Sequence, residues 1–427
     1  MNIEANFIPA YRISNRVNPE IRVYSSEDAL KMELSIIKKD EILKKQDYKI
    51  DKGLNRLYCS LKGLKGRIKF LFEFFKGNEK VHTFVYNYEV IDSSCRSTTL
   101  IDGCWVSIYH WSEDEARWFN KDLRRLTDED WKEKIHDMNR VGIKGVIIQN
   151  LFYCNEYAGQ HNMTVETYRG KAFYPSKIYP ERFDIVAKDP VEAILSAADE
   201  CEMNVFLGVG LFAWFDFSEE SLKWHKRITE ELFEMYGHHK SLYGWYISEE
   251  MFGSLYYEYP YLKASDYKNI VNFFEDYTSF VRKLTPTKPV ALAPNNIRFH
   301  EFEKEWKEIL VNVDILIPFA FARVPEHLNI KEISEICNAC GTHFWVDMEM
   351  FAWPLDNGLV PKSTEELIKE IRMYDDVEQI YGYQYTGIMN SPDFKYELGG
   401  EKTRELYTGY YEYYRSVIEK MSRKERK

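Results

Sequence analysis

The sequence predicts an α/β protein in which a (β/α)8 TIM barrel follows a small N-terminal β-sandwich-like domain. The length of 427 residues suits one barrel of about 250 residues or more with a smaller module beside it. Short strand patterns occupy the chain up to about residue 95, and apolar strands alternate with amphipathic helices from about residue 97. We therefore predict a sandwich domain over residues 1–95 and a catalytic barrel over residues 96–427.

The N-terminal prediction rests on short apolar segments that are separated by turns rich in Gly and Lys. These candidate strands are Glu20–Tyr24, Met32–Ile36, Leu57–Cys59, Ile68–Phe75 and Val81–Val90. Strands at this spacing are typical of a small sandwich. Such a module either binds sugar or braces the barrel. Bracing is favoured because the sequence contains no conspicuous cluster of exposed rings.

The barrel prediction rests on eight strand candidates in one continuous stretch. They are Leu100–Tyr109, Gly145–Gln149, Val205–Val209, Leu242–Ile247, Val290–Ala293, Ile315–Phe319, Thr342–Met348 and Gln379–Tyr385. Helix patterns lie between them, and Thr127–Asp130 and Ser363–Glu366 provide capping signals. An open doubly wound sheet is the alternative, but Asp102–Trp105 after the first strand start lacks the Gly-rich phosphate turn of that fold.

Composition excludes several classes of function. The net charge of −11 argues against nucleic acid as a partner, and the sequence has no run of 18 apolar residues that would indicate a membrane span. No signal peptide is visible and the seven cysteines are scattered, so we expect a cytoplasmic protein with reduced thiols. Cys337 and Cys340 form a CxxC without a second ligand pair, so neither a metal nor another cofactor is expected.

Two predicted strand ends carry acidic residues. Active sites of barrels form at the C-terminal ends of the strands, and cleavage of a glycosidic bond requires a proton donor and a second carboxylate. Glu250 follows the fourth strand and Glu349 ends the seventh, so these are our catalytic candidates. Glu249 and Asp347 compete with them, because an error of one residue exchanges the side chain that faces inward. A single Glu at a strand end is also commonly a helix-capping acid or an ion-pair partner.

Amides and aromatic rings follow other predicted strands and could bind a sugar. The 16% of aromatic residues suits carbohydrate, because flat rings stack on sugar faces, although most of the rings belong to the core. The candidate substrate-binding residues, besides Glu249 and Asp347, are His110, Trp111, Gln149, Trp214, Asn295, Trp353 and Tyr385. Each has a structural interpretation as well, as a buried His or a core ring.

Three segments carry a resemblance to a known family. They are Ile101–Gly103 together with Met138–Gln149, then Leu242–Glu250, and then Phe344–Phe351. These segments resemble bacterial barrels called domain of unknown function 4434, which are related to the large clan of retaining glycosidases. The resemblance spans roughly residues 98–415 and leaves the N-terminal module outside.

The resemblance implies a role for each acidic strand end. It implies that Glu250 is the acid/base and Glu349 the nucleophile. The sequence departs from the clan at Glu249, where an Asn usually contacts the sugar 2-hydroxyl. It departs again after the sixth strand, where Pro318–Arg323 stands in place of a Gln–Asp pair.

These observations favour a glycoside hydrolase that acts on a small or oligomeric glycan without a cofactor. A non-catalytic carbohydrate-binding barrel is the alternative, with an aromatic rim but no functional acid pair. A barrel lyase or isomerase would require a Lys base or metal ligands at the strand ends, and the sequence offers no convincing set. We expect a carbohydrate as partner, and neither nucleic acid nor a membrane.

Overall fold

A computed structural model of the chain describes residues 1–153, 170–209, 217–255, 267–323 and 329–425. The chain divides into two compact units. One contains Met1–Thr98, Val281–Lys288 and the end of the chain from Ser416. The other contains Thr99–Phe280 and Pro289–Arg415.

The N-terminal unit contains two β-sheets. Its strands are β1 (Ile3–Ile8), β2 (Arg12–Ser14), β3 (Glu20–Ser25), β4 (Leu30–Lys38), β5 (Glu41–Ile50), β6 (Gly53–Tyr58), β7 (Gly66–Lys76) and β8 (Glu79–Ile91). One sheet has the order β1-β3-β6 and the other the order β2-β8-β7-β4-β5. All neighbouring pairs are antiparallel except β2 and β8. The predicted β-sandwich-like domain is confirmed.

Alternation along the strands builds the core of this unit. In β7, Ile68, Phe70, Phe72 and Phe74 are buried while the residues between them are more exposed. Because successive side chains of a strand point to opposite faces, these four side chains all lie on the same face of the sheet. Phe7 of the other sheet meets that side, with its ring centroid 5.0 Å from that of Phe70 and 5.6 Å from that of Phe72.

Eight parallel strand positions form the barrel of the second unit. They are β9 (Gly103–Val106), β10 (Gly145–Ile148), β13 (Asn204–Gly208), β14 (Leu242–Ile247), β15 (Val290–Leu292), β16 (Ile315–Leu316), β17 (His343–Phe344) with β18 (Val346–Glu349), and β19 (Ile380–Tyr383). The sheet runs β17-β16-β15-β14-β13-β10-β9-β19-β18. We call these positions barrel strands 1 to 8. The short strands β11 (Phe152–Tyr153) and β12 (Lys171–Ala172) pair separately.

Barrel strand 7 closes the ring. Its two halves, β17 and β18, are separated only by Trp345. The Trp345 N–H donates to the Leu316 carbonyl of strand 6 at 2.9 Å, and the Val346 N–H donates to the Gln379 carbonyl beside strand 8 at 3.0 Å. One continuous segment therefore links both ends of the sheet, and the predicted eight-stranded barrel is confirmed.

Helices accompany the barrel strands at the predicted places. They are α1 (Asn120–Leu123), α2 (Asp128–Arg140), α3 (Pro190–Glu200), α4 (Glu219–Tyr236), α5 (Tyr267–Leu284), α6 (Glu303–Leu310), α7 (Ile330–Cys340), α8 (Thr364–Ile371) and α9 (Glu401–Glu425). Thr127 and Ser363 each form a capping box with the acid three residues later, as their sequences predict. In the described part of the chain, no helix has the length and apolar character needed to cross a membrane.

Aromatic rings fill the inside of the barrel, and glycines make room for them. The Tyr381 ring stacks on Trp345 with 5.0 Å between centroids and an interplanar angle of 18°. A Cβ atom at Gly145 would lie 2.0 Å from the Tyr381 hydroxyl, and one at Gly103 would lie 2.2 Å from the same ring. Strands 1 and 2 must therefore have glycine where Tyr381 approaches them.

We predict that Gly145→Ala lowers the free energy of unfolding by about 1–3 kcal/mol, because the added methyl group overpacks the barrel interior. Chemical denaturation of the wild type, G145A, Y381A and the double variant measures this. The double variant should lose less stability than the sum of the single losses, because Y381A removes the atoms that the methyl group strikes. Additive losses would contradict this packing explanation.

Candidate active site

A cavity of about 390 Å³ opens at the C-terminal ends of the barrel strands. Its lining combines acidic groups with aromatic rings. The charged members are Glu115, Glu250, Arg323, Asp347 and Glu349, and the rings are Trp105, Trp111, Tyr246, Phe252, Phe319, Phe351, Trp353 and Tyr383. An apolar pocket with a few convergent polar groups at this end of a barrel is the usual form of an active site.

The seventh strand supplies two of the acids. Asp347 and Glu349 both belong to β18 and are separated by one residue, so the alternation of the strand directs both side chains to the same side. Both side chains are buried, with 6% and 4% exposure. Such burial of two acids is costly unless they are protonated or paired, which is typical of functional carboxyl groups.

Arg323 forms an ion pair with Glu349. Its guanidinium carbon also lies 4.2 Å from the centroid of the Trp353 ring, within the range of a cation–π contact. Among the described residues that line the cavity, Arg323 is the sole cation. The segment after the sixth strand, which departs from the clan pattern, thus provides the counter-charge of the seventh-strand acid.

Two of the four carboxyl groups have a pKa close to neutrality. Burial raises the pKa of Glu250 to about 7; Arg323 opposes the rise and Glu115 adds to it. Burial also raises the pKa of Glu115 to about 7, again against the effect of Arg323. Each of these two groups can therefore hold a proton at neutral pH, which is the requirement for a general acid.

The two strand-7 acids differ in their contact with Arg323. Burial raises the pKa of Asp347 well above its ordinary value, and the nearby Glu349 charge raises it further. Burial also raises the pKa of Glu349, but Arg323 counteracts this both by its charge and by a hydrogen bond. Because Glu349 has the direct ion pair, it is the more readily ionised of the two.

Hydrogen bonds position the polar groups of strands 1, 2 and 8 at the cavity. Nδ1 of His110 lies 3.1 Å from the Ser112 amide nitrogen and 3.2 Å from the Ser112 carbonyl oxygen, and burial lowers the His110 pKa to about 4, so the ring is neutral. Its Nε2 lies 3.2 Å from the Tyr383 hydroxyl, which donates to the Gln149 side-chain oxygen at 3.0 Å. His110 thus orients Tyr383 from behind the cavity wall.

The cavity brings together most of the residues that the sequence proposes for a site. Those in the lining are Trp111, Gln149, Glu250, Asn295, Asp347, Glu349 and Trp353. Within the described residues, the lining does not include Glu249, His110 or Tyr385. Tyr385 instead lies beside the buried Lys134, whose Nζ is 5.9 Å from its ring centroid. Trp214 lies outside the described residues.

Glu249 is directed toward helix α4. Its Oε1 lies 3.6 Å from Nε2 of His225, and its side chain is fully buried. Burial lowers the pKa of His225 to about 4, so the ring is neutral at physiological pH. Because adjacent residues of an extended segment alternate in direction, Glu250 reaches the cavity while Glu249 contacts the helix layer. The residue that differs from the usual Asn of the clan thus does not line the cavity.

Glu115, Tyr383 and Arg323 are among the lining residues to which the sequence interpretation assigns no role. Glu115 belongs to a run of three acids, Glu113 to Glu115, and the sequence gives no reason to choose among them. Tyr383 is the last residue of β19, and the chosen Tyr385 lies two residues further on, beyond the strand. Arg323 ends an otherwise apolar segment. A single charged residue just after an apolar strand is the sequence signal that could have identified it.

A possible metal-binding group exists elsewhere in the barrel unit. Among the described residues, the set of three with donor atoms close enough is Glu192, His238 and His239. The ring nitrogens of His239 already lie 2.7 Å from Asp199 and 3.0 Å from Glu192. This group shares no residue with the cavity, so it bears on no chemistry there.

The fold is a (β/α)8 barrel with an acidic, aromatic-walled cavity at the C-terminal ends of its strands. A candidate α-L-fucosidase from Bacteroides thetaiotaomicron VPI-5482 is similar in fold, with 16% identity and a TM-score of 0.52 over 75% of this chain and 95% of that one. A glycosyl hydrolase family 2 member from Bacteroides cellulosilyticus DSM 14838 matches with 13% identity and a TM-score of 0.41. That match covers 95% of this chain, which spans about half (48%) of the other.

The chain belongs to the family described as Domain of unknown function (DUF4434), whose model matches residues 101–396. The resemblance seen in the sequence is thereby confirmed. A search of curated proteins finds no match to this chain.

We predict that Glu250→Gln stabilises the protein at alkaline pH. The pKa of Glu250 rises from its ordinary 4.5 to about 7 on folding, so its protonated form contributes stability below pH 4.5 that is lost as the pH rises through about 7. At about 1.4 kcal/mol per pKa unit, with allowance for solvent screening, E250Q should gain about 1–3 kcal/mol over the wild type above that window.

Denaturation at a series of pH values measures this difference. The matched control is Glu365→Gln, because Glu365 is an exposed acid on α8. A stability difference between E250Q and the wild type that does not change with pH would show that Glu250 ionises as an ordinary surface acid.

Proposed function

We propose that this protein is a glycoside hydrolase that uses Glu250 and Glu349 as its catalytic pair. The observation that carries the proposal is the unequal environment of two carboxyl groups in one aromatic-walled cavity. Glu250 has a raised pKa of about 7, whereas Glu349 has a guanidinium partner. Pairs of acids whose surroundings separate their protonation states perform the acid and base steps of glycosidic cleavage.

In this proposal Glu250 donates a proton to the oxygen of the leaving group. A carboxyl group with a pKa of about 7 remains largely protonated at slightly acidic pH and still transfers its proton readily. Charge repulsion from Glu115 favours the protonated form, in the same direction as burial does. The same group would then accept a proton from the incoming water.

Glu349 is the ionised partner in this proposal. The ion pair with Arg323 favours its carboxylate form in a place where burial opposes charge. Arg323 is in turn held against Trp353. The resemblance to the retaining glycosidases favours the role of nucleophile for Glu349, which would attack the anomeric carbon.

The rings of the lining would hold the sugar. Trp105, Trp111 and Trp353 contribute to the cavity wall, and such rings pack against the C–H faces of a sugar ring. Tyr383 and Gln149 add hydrogen-bonding groups whose orientation is fixed by neighbours. Preorganised polar groups of this kind lower the cost of binding.

A non-catalytic carbohydrate-binding barrel is the second candidate. One observation favours it. The ion pair with Arg323 that favours the ionised form of Glu349 also occupies the carboxylate that would have to attack the sugar. If Arg323 does not release that carboxylate to the substrate, the aromatic cavity binds sugar without cleaving it.

We predict that E250Q and E349Q both lose hydrolysis, but with different dependence on the leaving group. E250Q should fall by about 10²–10⁴-fold on substrates with a poor leaving group, which depend on proton donation. It should keep more activity on dinitrophenyl glycosides, because the dinitrophenolate group leaves without needing a proton. E349Q should lose activity on both kinds of substrate, because it lacks the attacking group.

A panel of nitrophenyl and dinitrophenyl glycosides and natural oligosaccharides, screened first with the wild type, measures these losses. E365Q serves as the exposed Glu→Gln control, and thermal unfolding verifies that each variant is folded. Full activity in either site variant would rule out this assignment. Sugar binding by the wild type without cleavage of any substrate would favour the binding barrel.

A further inference from the structure

The cavity contains more acid than glycosidic cleavage requires. Its described lining has four carboxyl groups and one guanidinium, and that guanidinium pairs with Glu349. With Glu250 and Glu349 assigned to the reaction, Glu115 and Asp347 remain. Neither group forms an ion pair with a cation of this described lining, so both carboxyl groups are available to a ligand.

Asp347 has an unused hydrogen-bonding atom. Its side chain is only 6% exposed, and its Oδ1 makes no hydrogen bond to any described residue. A buried carboxyl oxygen without a partner costs about 1–3 kcal/mol or more, so such atoms commonly await a ligand. Because Asp347 shares the cavity-facing side of β18 with Glu349, a ligand that reaches Glu349 also comes near this oxygen.

Glu115 supplies the second surplus carboxyl group. It follows barrel strand 1, lines the cavity, and has an Oε2 that lies 3.6 Å from Nε2 of His110. His110 is neutral and therefore does not cancel its charge. Burial raises the pKa values of Glu115, Glu250 and Asp347, and nearby acids add to the rise for Glu250 and Asp347. A cation bound among these groups would favour their ionised forms.

The aromatic wall suits a cation as well. The faces of indole and phenol rings attract ammonium groups, and Trp105, Trp111 and Tyr383 belong to the same lining as the surplus acids. A neutral sugar would use the rings but leave Glu115 and Asp347 without a cation. An anionic sugar would bring a further carboxylate into a lining that already has four carboxyl groups.

We propose that the site is selective for a sugar with a free, protonated amino group, which Glu115 and Asp347 recognise. This inference rests on the proposed glycosidase site and deepens it by naming the substrate class. It also excludes uronic acids, because the carboxylate of such a sugar would face four acids and find its one described counter-charge, Arg323, already paired with Glu349.

The test is a comparison of binding within matched pairs of sugars at about pH 7, where sugar amines remain largely protonated and Glu115, with a pKa of about 7, can be ionised. The pairs are glucosamine with glucose, galactosamine with galactose, and mannosamine with mannose, and glucuronate is the anionic probe. Calorimetry with the full chain measures the dissociation constants. We expect at least one amine to bind ten times more tightly than its neutral partner or better, and glucuronate to bind weakest.

The acids that recognise the amine are tested by E115Q and D347N. Each variant removes one ionisable carboxyl group while it keeps the size of the side chain, and each should reduce the preference for the amine about tenfold, or about 1.4 kcal/mol. Affinity for the neutral partner should hardly change, which a general loss of structure would not produce. E365Q is the control that removes an acid outside the cavity.

Equal affinity within every pair, no binding of any amine, or tightest binding of glucuronate would overturn the proposal. An unchanged preference in both E115Q and D347N would also overturn it. Hydrolysis separates this outcome from failure of the proposed function. Cleavage of neutral glycosides in preference to aminoglycosides would refute only the amine selectivity, whereas tight binding of an amine without cleavage of any glycoside would refute only the hydrolase.

Discussion

The placement of four buried or partly buried carboxyl groups in one cavity with a single guanidinium is the constraint on which the site depends. Acids removed from water either take up a proton or require a cation, and within this lining the ion pair of Arg323 is with Glu349. Glu349 receives that pair, and Glu250 responds to burial with a pKa of about 7. The different surroundings of two chemically identical side chains thus depend on where one arginine lies.

The barrel can hold this cluster of acids because its core is formed by apolar packing inside the strands and not by the strand ends. Tyr381, Trp345 and Phe206 pack inside the strands, with 5.0 Å between the centroids of the first two rings and 6.0 Å between those of Trp345 and Phe206. Apolar packing of this kind provides most of the stability of a fold. The strand ends can therefore hold acids whose burial is unfavourable, because the apolar packing inside the strands offsets that loss of stability.

Strand periodicity decided which acids the sequence could identify. Asp347 and Glu349 differ by two positions on β18, so the choice of either implied the other on the same side. Glu249 and Glu250 follow the end of β14. Alternation implies that their side chains point in opposite directions, but it does not say which of them faces the cavity. The contact of Glu249 with His225, at 3.6 Å, shows which of the two turns toward helix α4. That contact joins residues 24 positions apart and has no signature in the sequence.

The sequence by itself determined the (β/α)8 barrel, the preceding sandwich and the strand ends that carry acids. These features follow from local patterns, namely alternation, helix periodicity and the capping boxes at Thr127 and Ser363. The tertiary structure alone decided that Arg323 pairs with Glu349, that Glu115 joins the cavity, and that His110 and Tyr385 lie outside its lining. The physical reason is that charge pairing and burial depend on distances between segments far apart in the chain, whereas strand and helix patterns depend on near neighbours.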